Sequence, residues 1–504
     1  MALSSQTVVA SFSLCGIGWI LLYHVLKTKS NNSAYAPGPK PHPFVGHTFQ
    51  VPATKIWRYF EKLSFIHGPI VRLSLAGDEI LVLNDPADAE ELLNRRSNNY
   101  SSRKPLIYAG KYQSHNKRLV LLPYGNELKK QRAAFYQMLQ PKVIGSYERM
   151  QELESTKLLF DMLARPAESN MNTKRYAASL VFTLSYGKRL AEDDKDLTDV
   201  LNILDNFIAD CYPGAHLVDT FPILDQILPS FLAPWRAAAS KKHEAEMKAH
   251  LECFAARLWE QQEKLDLDLV TLSYVAGSAF EAGTGTTAGS FLWFFMAMIL
   301  FPDSLHKAQA EIDALLGADG ETMPTFEHLE QLPYCVALTK EVFRWMPAAP
   351  GGFPHYSDAE DEYKGYTIPA NTMVIPCIWS MQHNADKFPD PLAFNPERFL
   401  QEMQPGHDLF TDGHFAFGFG RRICPGRYLG ARSVWIGITR LLWAFMIGPA
   451  FDGAGHPIPV DPDHCTSGIT SEPDPFPVSI IPRSEAHART IRKAWSVAAD
   501  ACGC

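Results

Sequence analysis

Ten consecutive residues, Phe417-Gly418-Phe419-Gly420-Arg421-Arg422-Ile423-Cys424-Pro425-Gly426, bring together types suited to holding a ligand through sulfur. A cysteine ligates as thiolate, and the start of a helix lowers a thiol pKa through its dipole and free amides. A helical pattern over Arg427–Phe445 follows at once, and Pro425 suits the first turn because its missing N–H costs nothing there. Gly418, Gly420 and Gly426 permit tight turns and leave room for a flat ligand against the backbone. Phe417 can shield sulfur from water, and Arg422 offers a cation to an acidic group. A lone cysteine is usually a small buried hydrophobe, but this setting of glycines, arginine and helix start favours the ligand.

A second group of candidates lies on the longest expected helix, Asp266 to Leu300. Asp266 or Asp268 can cap its start and Pro302 closes it. At about 1.5 Å per residue it spans roughly 50 Å. Its middle, AGSAFEAGTGTTAGS, contains Gly277, Gly283, Gly285 and Gly289. Each glycine costs about 1 kcal/mol against alanine inside a helix. Either something approaches this backbone closely or neighbouring helices pack tightly against it.

Around these candidates the chain reads as mainly α with small β-sheets. Ile70–Leu75 and Glu79–Leu83, separated by Ala76-Gly77-Asp78, read as a hairpin. Helical patterns cover Asp88–Arg96, Glu127–Leu139, Gly145–Leu163, Thr173–Ser185 and Ala238–Glu263. No repeat, low-complexity tract or second composition regime divides the body, so one large catalytic domain is expected over 47–504. Before it, PGPKPHPFVG at residues 37–46 puts four prolines in seven residues and cannot be helical. We assign 31–46 as a stiff hinge. Residues 1–30 are assigned as a membrane anchor, because Val8–Leu26 has nineteen residues without Asp, Glu, Lys or Arg. Lys27 and Lys29 then place the body on the cytosolic side.

The run Phe417-x-x-Gly420-x-Arg422-x-Cys424-x-Gly426 resembles the haem-binding loop of the cytochromes P-450 at every signature position. Glu341-x-x-Arg344 and Pro396-Glu397-Arg398-Phe399 resemble two further motifs of that family, in the same order. Ala282-Gly283-Thr284-Gly285-Thr286-Thr287 is similar to its oxygen-activation motif, in which a helix bulge makes room for oxygen. The resemblance covers nearly the whole chain. It implies a cytochrome P-450 fold with a long central helix over the haem, preceded by one transmembrane helix. It further implies heme b with Cys424 as axial ligand, a bulge wall at Ala282 and Gly283, and Thr286 as the proton-delivering hydroxyl. Arg422, His355 in Gly352-Phe353-Pro354-His355, and Arg132 would anchor the propionates; Glu341, Arg344 and Arg398 would form a buried charge triad.

Two departures stand out. Gly285 occupies the place of the usual acid, and Glu281, one turn earlier, is the candidate substitute for relaying protons through water. Leu128 replaces the tryptophan of the Trp-x-x-x-Arg helix, and Lys129 could compensate as a point charge.

The resemblance implies a monooxygenase using O2 and NADPH-derived electrons. No flavin or nicotinamide fingerprint occurs here, so a separate NADPH–cytochrome P-450 reductase is implied, with cytochrome b5 as a second donor. Lys129, Lys130, Arg421 and Arg427 are candidate docking cations. The net charge of −8 and the lack of a long basic run exclude a nucleic-acid partner. Nine cysteines without a Cys-x-x-Cys pair suggest neither disulfides nor zinc, fitting the cytosolic face of the endoplasmic reticulum. The terminal Cys502-Gly503-Cys504 resembles a prenylation signal, which a chain with a membrane helix does not need. The pocket is expected to draw on 105–122, 207–224 (including Phe221), Ala279–Thr286 (including Phe280), Ala348–Phe353 and Gly468–Thr470. That lining suits an apolar terpenoid, polyketide or alkaloid of the kind tailored by fungal microsomal members. Two rivals are a same-fold isomerase or dehydratase, favoured by Gly285, and a haem-binding protein without turnover.

Overall fold

Aliphatic residues at helical spacing, punctuated by proline and glycine, set the architecture. The structure is a computed structural model and describes residues 34–502, apart from 44, 76, 188, 191–194, 213, 253–265 and 403–407. The expected membrane helix and the last two residues therefore lie outside the described residues.

Among these residues, helices of twelve or more residues carry most of the mass. They begin with α1 (Ile56–His67), α2 (Asn126–Leu139), α3 (Glu148–Ala164), α4 (Ser169–Tyr186) and α5 (Lys195–Asp210). Then come α6 (Pro234–Glu252), α7 (Leu269–Leu300), α8 (Pro302–Leu316) and α9 (Pro333–Trp345). The last two are α10 (Arg427–Ala444) and α11 (Glu485–Cys502). Proline opens α6, α8 and α9, where a missing donor is tolerated.

The hairpin forms from β1 (Ile70–Leu75) and β2 (Asp78–Leu83), with Ile70 opposite Leu83. With β3 (His355–Tyr356) and β6 (Met373–Pro376) it makes a four-stranded sheet of order β1-β2-β6-β3. Among the described residues two small ribbons complete the β structure, β4 (Asp361–Tyr363) with β5 (Tyr366–Ile368), and β7 (Phe445–Pro449) with β8 (Val478–Pro482).

Helix α7 is the axis of the domain. Asp268 caps it by accepting a hydrogen bond from Thr271 N at 2.7 Å, while Asp266 pairs with Lys130. Such an apolar 32-residue helix is long enough to cross a membrane, but two thirds of its most apolar window is buried inside the protein. It serves as the core. Helix α4 lies along one side, and α10 crosses closely where a side chain on Gly437 would strike Phe291 at 2.5 Å. Phe291–Met298 of α7 and Val434–Ala444 of α10 supply much of the central hydrophobic cluster.

Candidate active site

The loop before α10 is shaped by its glycines and its own hydrogen bonds. Cys424 N donates to Phe417 O at 2.9 Å, and Gly418 N to Phe415 O at 3.0 Å. Gly418 and Gly420 have φ of +76° and +58°, the left-handed region that a side chain disfavours. A Cβ on Gly420 would also collide with the Leu93 carbonyl, whereas one on Gly418 would meet nothing within 4 Å. The carbonyl belongs to Glu90–Arg95, a wide π-type turn that replaces part of the regular helix expected over Asp88–Arg96. The Phe417 ring is wedged between Phe343 and His414, at 5.4 and 5.5 Å.

Two expectations about Cys424 need correction. Gly426 caps α10, so Pro425 stands before the helix instead of in its first turn. The thiol is also pushed up from its ordinary pKa by burial, which outweighs the opposing pull of the Gly426 N–H, Arg427 and Arg132. A helix start alone does not deprotonate this sulfur; a bound metal would supply that charge.

Beside the loop stand Arg103, Arg132, Arg422 and His355. Arg422 donates to Ser101 O at 2.6 Å, Leu119 O at 3.2 Å and Leu122 O; Arg132 donates to Ile423 O at 3.0 Å. Arg103 donates to Phe353 O and Pro354 O, and its buried Nε has no partner. Burial, then Arg103 and Arg132, push Arg422 down to about 8. Burial, then Arg132, push Arg103 down to about 9. His355, bonded to Tyr100 O at 2.7 Å, is held neutral by burial and by Arg103. Among the described residues no carboxylate bonds any of the three arginines. Three sheltered cations, two of them weakened by their neighbours in the group, form a socket for a dianion.

Arg103 escaped the sequence reading because it lies in an irregular stretch that only tertiary folding carries to this place. Lys129 does not join the socket. It is exposed, with its ammonium 5.0 Å from the Tyr124 ring, while Leu128 is buried.

On α7 the expected residues separate by face. Ala282 is exposed in the middle of a buried helix, and the accessible Thr286 hydroxyl donates to Ala282 O at 2.7 Å. The stripe 282/286 thus borders open interior space. The helix is regular here, so the expected bulge is absent: Thr284 and Thr286 bond back onto the carbonyls four residues earlier without breaking the ladder.

Gly283 serves packing, because a Cβ there would stand 2.6 Å from Val181 Cγ2 of α4. Gly285 faces Leu204 of α5, with 3.5 Å of room. Glu281 is not brought to the Thr286 hydroxyl; its carboxylate pairs with buried Arg118. Phe280 turns toward Phe182 of α4, edge-on at 5.6 Å, instead of lining a pocket.

Below the site, Glu341 and Arg344 meet at 2.7 and 2.8 Å, fully buried, and Arg398 reaches Glu341 at 3.2 Å. Arg344 also donates to Gln382 O, Pro391 O and Ala393 O, which fastens α9 to the segment ahead of the Cys424 loop. An open recess of about 510 Å³, bordered by Ala53, Ile208, Tyr212 and Gly468, marks where the 207–224 and 468–470 regions meet. The cationic socket, the open 282/286 stripe and the empty space at Gly418 together fit a flat dianionic group such as haem.

Comparison with known proteins points the same way. The family model described as Cytochrome P450 matches residues 36–476. The chain is 34% identical to cytochrome P450 monooxygenase aneD of Aspergillus aculeatus, over 98% of this chain and 96% of that protein. It is 35% identical to cytochrome P450 monooxygenase 58 of Postia placenta, over 93% and 92%. With cytochrome P450 monooxygenase virE of Hypocrea virens the identity is 30%, over 95% and 91%.

Proposed function

The chain belongs to the cytochrome P450 family, and from that premise we propose that it oxidises an apolar intermediate of secondary metabolism at the endoplasmic reticulum membrane, with Cys424 as the iron ligand. It is a monooxygenase, an oxidoreductase of a family that uses haem b with a cysteine thiolate, O2, and NADPH-derived electrons through a reductase. When bound, that group supplies insertion of one oxygen atom into a C–H bond or alkene, the other leaving as water.

The protein's part is to bind, orient and exclude water. Arg103, Arg132, Arg422 and His355 would hold the two propionates, which answers the shortage of anions in the socket. Gly426 leaves room beside the Cys424 sulfur, Gly418 leaves the loop open at its turn, and Phe417 closes the loop against α9. Ala282, with the Gly283 backbone behind it, walls the other side, and Thr286 can hold and pass a proton at Oγ1. The arginine socket beside the Cys424 loop is the observation that carries this reading.

Several features support the partners. Phe49, Leu217, Ile227 and Phe231 are 87, 71, 63 and 83% exposed. Tyr212 bonds Ala53 O, tying the two chain segments that carry these side chains. An apolar surface beside the recess suits a membrane leaflet as the source of a terpenoid, polyketide or alkaloid substrate. We assign 1–30 as the anchor, 31–46 as the hinge and 47–504 as the catalytic domain on this basis. Exposed Lys129 and Arg421 both lie over the Tyr124 ring, at 5.0 and 5.1 Å. That paired positive surface suits an acidic reductase, and cytochrome b5 in turn.

The test is the absorbance difference spectrum of the reduced protein with carbon monoxide, beside Cys424→Ser. A strongly red-shifted Soret band that vanishes in the variant is expected. A short-wavelength band in well-folded wild type would remove Cys424 as the thiolate ligand.

A further inference from the structure

A single buried guanidinium joins four separate parts of the molecule beside α7. Arg118, 1% exposed, bonds Glu246 of α6 at 2.6 Å and Glu281 of α7. Its Nε donates to Ser114 Oγ at 3.2 Å, and its plane lies 3.7 Å from the Phe207 ring of α5. Glu246 is held in turn by Tyr274 at 3.0 Å and by Gln113 at 2.7 Å. The 107–122 loop is thereby tied at once to α5, α6 and α7.

Energetics argue against stability as the purpose of this cluster. Burying ion pairs forfeits hydration that their attraction only roughly repays, and apolar replacements of such clusters are often no less stable. What the cluster fixes is relative position. Phe207 is flanked on α5 by Leu204, which faces Gly285 of α7, and by Ile208, which lines the recess. Whatever holds Phe207 therefore holds the wall between the recess and the 282/286 stripe. Besides this cluster the loop is tied by Tyr274 of α7, which donates to Gln113 O at 2.8 Å, and by half-exposed Lys111, which meets buried Asp225 at 2.6 Å; neither tie reaches Phe207.

We propose that Arg118 is a positioning residue, a clasp that keeps the 107–122 loop and α5 closed over α7 and so sets how fast small molecules reach the site beside Thr286. The proposal rests on the haem-thiolate reading only for its reporter.

The experiment uses the full-length holoenzyme and measures carbon monoxide association to the reduced form and imidazole association to the oxidised form. Arg118→Lys keeps the charge but loses the two-armed grip. The triple variant Arg118→Met/Glu246→Gln/Glu281→Gln removes the clasp without leaving an unpaired charge. Both are expected to keep the red-shifted Soret band. Association should quicken roughly tenfold or more in the triple variant, with Arg118→Lys between it and wild type. Wild-type rates in a folded triple variant would overturn the clasp. So would a triple variant that fails to take up haem while Arg118→Lys binds both ligands at the wild-type rate, since the cluster would then be structural only. A wild type lacking the red-shifted band would instead remove the Cys424 reading, which keeps the two failures apart.

Discussion

Gly283→Ala separates two explanations for a glycine that the oxygen-side motif and the helix packing both claim. The added Cβ would stand 2.6 Å from Val181 Cγ2, where carbon pairs prefer roughly 3.5–4.0 Å. One helix must therefore yield by about 1 Å, and overpacking of this kind costs about 1–3 kcal/mol. Alanine returns about 1 kcal/mol of helix propensity, so the net loss should be about 1 kcal/mol. Val181→Ala alone removes two methyl groups, worth about 1.6 kcal/mol in transfer terms. In the double variant the new methyl occupies the vacated space. The two changes should then couple favourably by about 2 kcal/mol. Urea unfolding of the four proteins, with haem content measured on each, gives the cycle. If Gly283→Ala instead sheds haem or moves the Soret band, and Val181→Ala does not restore it, the glycine answers to the cofactor and the packing argument fails.

Three further outcomes follow from the same structure. Glu341→Gln leaves Arg344 and Arg398 buried without their carboxylate; a loss of about 3–5 kcal/mol is expected by denaturant titration, and a loss under 1 kcal/mol would show the triad to be dispensable. Arg103→Met should speed haem transfer to a scavenger such as apomyoglobin roughly ten- to hundredfold. In the haem-free chain the same change should stabilise, because Arg422 loses a repelling neighbour; destabilisation there would contradict the socket. His383 is held well below its ordinary pKa by burial, then by Arg344, and burial takes His414 down to about 3. Unfolded histidines titrate near 6.5, so between these values the unfolded chain binds more protons and stability rises with pH. That stability is complete above about pH 6.5 and falls as pH drops, by about 2 kcal/mol at pH 5 for His414, with His383 acting in the same direction; a urea midpoint unchanged between pH 7.5 and 5 would refute this.

Residues whose role is set by local backbone chemistry were legible from the chain. Gly418 and Gly420 adopt positive φ, Asp268 caps the long helix, and the β1–β2 hairpin differs from its expected limits by one residue. The Glu341–Arg344 contact follows from i, i+3 spacing, and Arg398, expected there from the family resemblance alone, joins it from far along the chain. Residues whose role depends on what packs against them were not legible. Helical geometry puts Glu281 on a definite face of α7, but nothing local says that Arg118 waits there, because the arginine comes from an irregular loop 163 residues away. The same holds for Arg103 in the socket. The net thiol pKa is not legible for a related reason: the helix-start effect, which does lower it, is local, while desolvation, which outweighs it, depends on the whole fold.

The glycines of α7 show how a poor helix sequence can be required by the fold. They do not share one face or one purpose. Gly283 admits Val181 of α4, Gly285 faces Leu204 of α5, and a Cβ on Gly289 would stand 3.6 Å from Glu472 Cβ of the C-terminal region. A methyl at Gly283 would push Val181 outward, whereas one at Gly285 or Gly289 would meet its neighbour at ordinary contact distance, so only a larger side chain would displace those two. The propensity lost, about 1 kcal/mol per glycine, is offset by burial of the long apolar helix that those neighbours enclose. Packing on those sides leaves Ala282 and Thr286 as the accessible stripe of this stretch. Gly285 then has a structural reason to lack the usual acid: a carboxylate there would project toward the apolar Leu204 side chain, where burial without a partner is costly. On this argument Gly285→Asp supplies a working acid only if Leu204 is also made small and polar, whereas gain of coupled turnover from Gly285→Asp alone would show that α5 stands farther from α7 during catalysis than it does here.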